Sequence, residues 1–193
     1  RFAHNVVGMY FYGEKGGHRI EANRFDNNLT QLAVSAAGVG VAQDAVGPIA
    51  SPELLVIMDV RKRSNGNDAN VPLRGVTRTA PLVRDRFRLV EGRMFEWGRN
   101  EVVVGRGAQL EFQGLEIGSS IPVGKAAWPV VGVFEAGGGL AETEIWVDAL
   151  VLQPAYQRGN SYQAVYAKLE SPGAFQQFKD ALTSNPQLDV EPK

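Results

Sequence analysis

The stretch LVEGRMFEWGRNEVVVGRGAQLEFQGLEIGSSIPVGKAAWPVVGVFE, residues 89–135, decides the fold class. Three short apolar runs lie within it, Val102 to Val104, Ile121 to Val123 and Val130 to Phe134, with glycines marking their bounds. Val- and Ile-rich runs punctuated by glycine predict buried strands joined by tight turns, and Gly107 to Phe112 predicts a short helix between the first two. The stretch is a small β-rich module. It brings no set of catalytic side chains together, so what it offers is an architectural pattern.

Upstream of this module, Asn5 to Tyr12 (NVVGMYFY) predicts a strand and Gly13 to Gly17 a turn. Leu29, Leu32, Ala33 and Ala36 recur at helical spacing between Asp26 and Ala37, with Asp26 or Asn27 placed to cap the first turn and Gly38 to end the last. Glu53 to Val60 (ELLVIMDV) is almost continuously apolar, which predicts a central strand covered on both faces. Arg61-Lys62-Arg63, a polar loop over Ser64 to Asn70 and a strand over Val71 to Thr77 complete a hairpin. The basic, weakly patterned residues from Arg78 to Arg88 hold one helical turn around Ala80 to Val83.

Downstream, Gly137-Gly138-Gly139 is the loosest point of the chain and predicts a mobile loop. Ile145 to Gln153 has strand or mixed character, and Tyr162 to Leu169 has the composition of a strand. Ser171 is placed to cap a helix that starts at Pro172, carries Phe175, Phe178 and Leu182 as its apolar stripe and stops at Asn185-Pro186. A final strand over Leu188 to Glu191 follows. The expected fold class is α+β: an α/β subdomain from both chain ends, residues 1–79 and 154–193, with a β-rich subdomain, residues 80–153, inserted into it.

Composition excludes several chemistries. At 193 residues with 44% apolar and 21% charged side chains, the chain is an ordinary globular one. Cysteine is absent, so disulfides, thiolate metal sites and a Cys nucleophile are excluded. No run approaches the roughly 20 apolar residues of a membrane span, and with neither an initiator Met nor a signal segment the chain is expected to be a piece of a longer protein. The formal charge is −1, yet residues 61–106 hold 11 basic and 5 acidic side chains. Such a stretch could meet nucleic acid or anionic headgroups, but spread over strands and turns it is more simply a solvated face, and it lacks the interleaved aromatics of a single-strand platform.

Residue-level motifs are weak. Gly105-Arg106-Gly107 sits between a strand and a helix, where phosphate loops occur, but Leu110 fills the third glycine position of that pattern. His4 and His18 lie in an irregular N-terminal region outside any hydrolase or metalloprotease context. Glu142 and Glu144 are paired acids expected to face water, and no His/Asp/Glu cluster has ligand spacing. Phe95, Trp97, Phe112, Trp128, Phe134 and Trp146 could line a ligand pocket, but in a small β module they are more simply its core. No catalytic, cofactor-binding or metal-binding residue is therefore assigned.

Taken in order, VEGRMF (90–95), EVVVGRGAQLEF (101–112), GLEIGSSIPVG (114–124), WPVVGVFEAGGG (128–139) and EIWVD (144–148) resemble the MacB-like periplasmic core domain of ABC-transporter permeases of the MacB/FtsX/lipoprotein-release type. The likeness runs from about Gln31 to Glu191, whereas Arg1 to Arg24 departs from the pattern. It implies a porter-like α/β subdomain carrying a β-rich insert, on the periplasmic side of the bacterial inner membrane, between transmembrane helices outside this chain. It also implies a non-catalytic domain that moves when a separate cytoplasmic ABC ATPase hydrolyses ATP. The implied partners are a second permease chain in a dimer and a periplasmic protein, with no cofactor and no nucleic acid. The alternative is a free-standing periplasmic ligand-binding module that uses the aromatic residues as its pocket.

Overall fold

The computed structural model describes residues 6–12, 18–23, 40–184 and 190–192. In chain order the elements are β1 (Val6–Tyr12), β2 (His18–Asn23), β3 (Ala50–Arg61), β4 (Asp68–Val76), β5 (Phe87–Gly92), β6 (Val102–Gly105), α1 (Arg106–Glu111), β7 (Ser120–Val123), β8 (Ala126–Ala136), a 3-10 turn (Leu140–Thr143), β9 (Ile145–Asp148), α2 (Ala149–Ala155), β10 (Ala164–Lys168), α3 (Ala174–Thr183) and β11 (Val190–Pro192). The helix expected over Asp26 to Ala37 lies outside the described residues. The chain divides into two units, one made of Arg1–Glu53, Thr77–Asp85 and Asn160–Lys193, the other of Leu54–Val76 and Arg86–Gly159. The chain therefore passes from one unit to the other four times, after residues 53, 76, 85 and 159.

In the first unit the strand order is β11-β2-β1-β10-β3. Strands β1 and β10 run parallel and the other pairs antiparallel. Helix α3 buries Phe178 and Leu182, each 1% exposed. Ser171 does not cap this helix: the N-cap is Gly173, in helical conformation and without a side-chain hydrogen bond. The two buried side chains, worth about 1.5–3 kcal/mol each, hold the helix in place of a cap worth about 1 kcal/mol.

The second unit has the order β3-β4-β9-β6-β8-β5, with β7 also on β8. Strand β8 is the long central member, parallel to β6 and antiparallel to β5 and β7. Val102, Val104, Ile121, Val123, Trp128 and Val130 from the 89–135 stretch join Leu54, Leu73, Ile145 and Leu152 in one buried cluster, so the glycine-bounded runs are core strands. Strand β5, which has no sequence signature of its own, is mostly exposed and shifts register between Leu89 and Glu91. A charged, irregular outer strand of this kind resists pairing with other chains.

Strand β3 departs from the expectation of two covered faces. Its residues Ala50 to Glu53 pair with β10 and its residues from Leu54 onward pair with β4. Beyond Leu55 burial alternates, with Val56 and Met58 inside and Ile57 52% exposed, because one sheet face carries the core. The hairpin turn to β4 is tighter than Ser64 to Asn70: Lys62 N–H donates to Asn67 O, Gly66 adopts φ +72° and the strand resumes at Asp68. After β9, Ala149–Ala155 is helical rather than extended, because the Asp148 carboxylate accepts from Leu150 N–H as N-cap.

Close backbone approach sets the glycine at 105. A methyl group there would lie 2.2 Å from the Glu142 carbonyl oxygen. Gly105→Ala is expected to destabilise the chain by about 1–3 kcal/mol, as overpacking does, lowering the urea midpoint. Gly173→Ala, whose added carbon would come no nearer than 3.8 Å to the Ser171 hydroxyl, is expected to be neutral or to stabilise by about 0.5 kcal/mol.

Candidate functional site: buried ion pairs in each unit

In the second unit, β4 and β9 run in parallel and register Arg74 directly beside Trp146. Glu144 stands two residues before Trp146 in extended conformation, so its carboxylate falls on the same face. Arg74 Nε donates to Glu144 Oε2 at 2.6 Å and Nη2 to Oε1 at 2.5 Å, while Trp146 Nε1 donates to Oε2 at 3.1 Å. Both charged side chains are under 10% exposed. Trp146 is in turn stacked on Phe87, with centroids 5.3 Å apart, and packed on Phe134 at 4.4 Å. Glu144 thus does not face water as its sequence context suggested.

Its neighbour Glu142 is also engaged. One carboxylate oxygen accepts from Ala136 N–H and Gly138 N–H, both at 2.7 Å. Gly137 and Gly138, at φ +70° and +76°, curl the backbone around that oxygen. The three glycines expected as a mobile loop are therefore closed onto a carboxylate, in a conformation open to glycine.

In the first unit, Arg84 Nη1 and Nη2 donate to the two carboxylate oxygens of Glu53, both at 2.9 Å. Glu53 is fully buried and Arg84 is 4% exposed. The guanidinium also donates to Ala80 O and lies 4.4 Å from the centroid of Tyr166. The planar fork that meets both carboxylate oxygens requires arginine here; a lysine could lie over the ring but could not reproduce the two parallel bonds.

The basic stretch is neutralised by the fold. Arg61 pairs with Asp68, Lys62 with Glu111, Arg63 with Glu116 and Arg88 with Glu135. Arg93 pairs with Glu101, Arg99 with Glu96, and Arg106 with Glu91 and Glu135. Several of these acids lie outside residues 61–106, which is where the local excess of positive charge finds its compensation. The Arg93 guanidinium, 2.7 Å from both Glu101 oxygens, lowers the Glu101 carboxyl to about 2, with help from the Glu96 N–H.

The other sequence candidates resolve into structure. Gly105 ends β6 with the Glu142 carbonyl where a phosphate would approach, and Arg106 is held by Glu91. His18 opens β2 rather than an irregular segment, and His4 lies outside the described residues. Phe95, Phe112, Trp128, Phe134 and Trp146 are each less than 5% exposed and form core, while Trp97 is half-buried against Phe95. Among the described residues no group of three or more His, Cys, Asp or Glu could hold a metal ion, and no helix is long and apolar enough to cross a membrane. Sequence reasoning missed the Arg74–Glu144 and Arg84–Glu53 pairs, whose partners are 70 and 31 residues apart.

Two measurements check these pairs. Glu144→Ala leaves Arg74 buried and uncompensated and is expected to cost about 3–5 kcal/mol of unfolding free energy, read by urea denaturation. Glu101 has its folded pKa depressed, so its contribution is fully present above pH 4.5 and is lost as pH falls toward 2. An acid titration of the melting temperature should show that decline in the parent chain and a shallower one in Glu101→Gln.

The model of the MacB-like periplasmic core domain family matches residues 4–185, so most of Arg1 to Arg24, read from the sequence as departing from the pattern, belongs to it. No curated protein matches the sequence. Among solved structures, the chain is similar to the extracellular domain of the noncanonic ABC-type transporter YknZ from Gram-positive bacteria, at 17% identity and a TM-score of 0.62 over 98% of this chain and 100% of that one. It is also similar to the periplasmic region of MacB from Actinobacillus actinomycetemcomitans, at 13% identity and a TM-score of 0.60 over 97% and 87% of the two chains. At such identities these likenesses speak for the fold, the mixed α/β architecture expected from the sequence. With the family pattern spanning nearly its whole length, the chain belongs to the MacB-like periplasmic core domain family.

Proposed function

We propose that this chain is the extracytoplasmic domain of an ABC-transporter permease of the bacterial inner membrane, and that it passes ATP-driven movement to substrate export or to a periplasmic partner protein. The observation that carries this is the family match over residues 4–185. The interior geometry supports a mechanical role. Glu53 and Glu144, the carboxylates buried most deeply beside arginine, are each held through both oxygens, which leaves neither placed as a general acid or base. ATP hydrolysis then falls to a separate cytoplasmic subunit or domain, and the permease works as a dimer of two such chains. In this proposal the porter-like subdomain is the one built from both chain ends, and the β-rich one is its insert.

The free-standing binding module has less support, because five of the six aromatics it would use, all but Trp97, are buried in the core. A permease parent requires apolar runs of about 20 residues on both sides of this chain in the open reading frame. A cleavable signal segment upstream and a stop codon soon after Lys193 would overturn the permease reading. The purified chain is expected neither to bind nor to hydrolyse ATP, measured by calorimetry and phosphate release; turnover by the pure chain would equally overturn it.

A further inference from the structure

The segment Thr77–Asp85 leaves the second unit after β4, joins the first unit for nine residues, and returns to the second unit just before β5. Within the first unit it is fastened along its length. Thr77 and Ser51 hydroxyls share a hydrogen bond of 2.8 Å, and Thr79 Oγ1 donates to Ala50 O at 2.6 Å. Ala80 and Val83 are buried. Arg84 grips Glu53 through two bonds and faces Tyr166, and Asp85 pairs with Lys168 of β10. Glu53 is itself the last residue of the first unit on β3. Three of the four crossings, after residues 53, 76 and 85, are thus pinned to one another by side chains of the first unit.

We infer that Thr77–Asp85 is a coupling strap, which makes the two units lose and regain structure together and not as independent bodies. A linker of nine exposed, polar residues would decouple them, since its ends could separate at little cost. This one cannot slacken without breaking a bidentate pair at a fully buried carboxylate, and such a pair has a single good geometry. Hydroxyl bonds at one end and the guanidinium clamp at the other make the strap taut across its whole span. The inference stands on connectivity and bonding within the chain and does not depend on transport, so it can fail while the permease reading holds, and the reverse.

The chain carries its own reporters. All three tryptophans, Trp97, Trp128 and Trp146, belong to the second unit, whereas the amides of β10 belong to the first. Equilibrium urea unfolding of the purified chain is followed in parallel by tryptophan fluorescence and by hydrogen exchange of residues 164–168. The unsubstituted chain should give coincident midpoints. In Arg84→Met the β10 midpoint should fall by about 1 M urea or more while the fluorescence midpoint holds. Midpoints that move together, midpoints that both stay put, or midpoints already separate in the unsubstituted chain would each overturn the strap. Should Arg84→Met fail to fold, Ser51→Ala with Thr77→Val loosens the other end without stranding a charge. It should separate the midpoints in the same direction by a smaller amount, and the same three outcomes count against it.

Discussion

An arginine that leaves water keeps its charge, and the loss of hydration is offset only where a carboxylate meets it in good geometry. In this chain that carboxylate usually comes from far away in sequence. Arg74 reaches Glu144 across 70 residues and Arg84 reaches Glu53 across 31, and all four side chains are buried. Each pair can form only when segments distant in sequence have already been brought together, and for Arg74 that means β4 and β9 in register. Wrong registers would strand a charge, and β-register is the kind of choice that a one-residue slip can invert. The pairs add little net stability over an apolar alternative, but they penalise every competing arrangement.

The same constraint explains what could be read from the sequence and what could not. Local signals were legible where they were covalently local: Val102 to Val104 and Ile121 to Val123 are strands that stop at Gly105 and Gly124, Val130 to Phe134 lies within the strand that ends before Gly137, and β-branched side chains from all three fill the core. Helix α1 follows from the same stretch. Strand β5 was not legible, since Phe87–Gly92 alternates neither face and owes its conformation to pairing with β8. Alternation misled at Glu142 and Glu144, because the 3-10 turn ends between them and only the second belongs to the extended segment. Helix α2 was hidden by its own apolarity. Ile145 to Gln153 reads as strand or mixed, and it is the Asp148 cap that turns its second half into a helix.

A similar division applies to the candidate site. Gly105-Arg106-Gly107 lacks the third glycine of a phosphate loop, where Leu110 stands instead. The structure supplies the physical cause, since the Glu142 backbone already fills the space that an absent Cβ leaves at Gly105. The aromatic residues of the β-rich module read as core from composition, and five of the six are buried there. By contrast, the charge excess over residues 61–106 suggested a face presented to partners or water, and its resolution needed three-dimensional contacts. Arg74 and Arg84 from within that stretch are among the most buried polar residues of the chain. Composition gives the sum of charges; only packing gives their pairing.

What such an interior is suited to do follows from how its two kinds of contact respond to displacement. Apolar side chains packed at about 4 Å hold one another through many weak, non-directional contacts, so they favour close packing without selecting one orientation. A bidentate guanidinium–carboxylate pair is directional, and a small rotation breaks both of its bonds together. Placed at Glu53, beside the point where β3 leaves the first unit, such a pair holds the Arg84 segment and β3 in one relative geometry. Placed between β4 and the start of β9, the Arg74–Glu144 pair does the same for two parallel strands that no tight turn could tie together. Directional contacts of this kind, set into an apolar core, are what a domain needs if its output is movement.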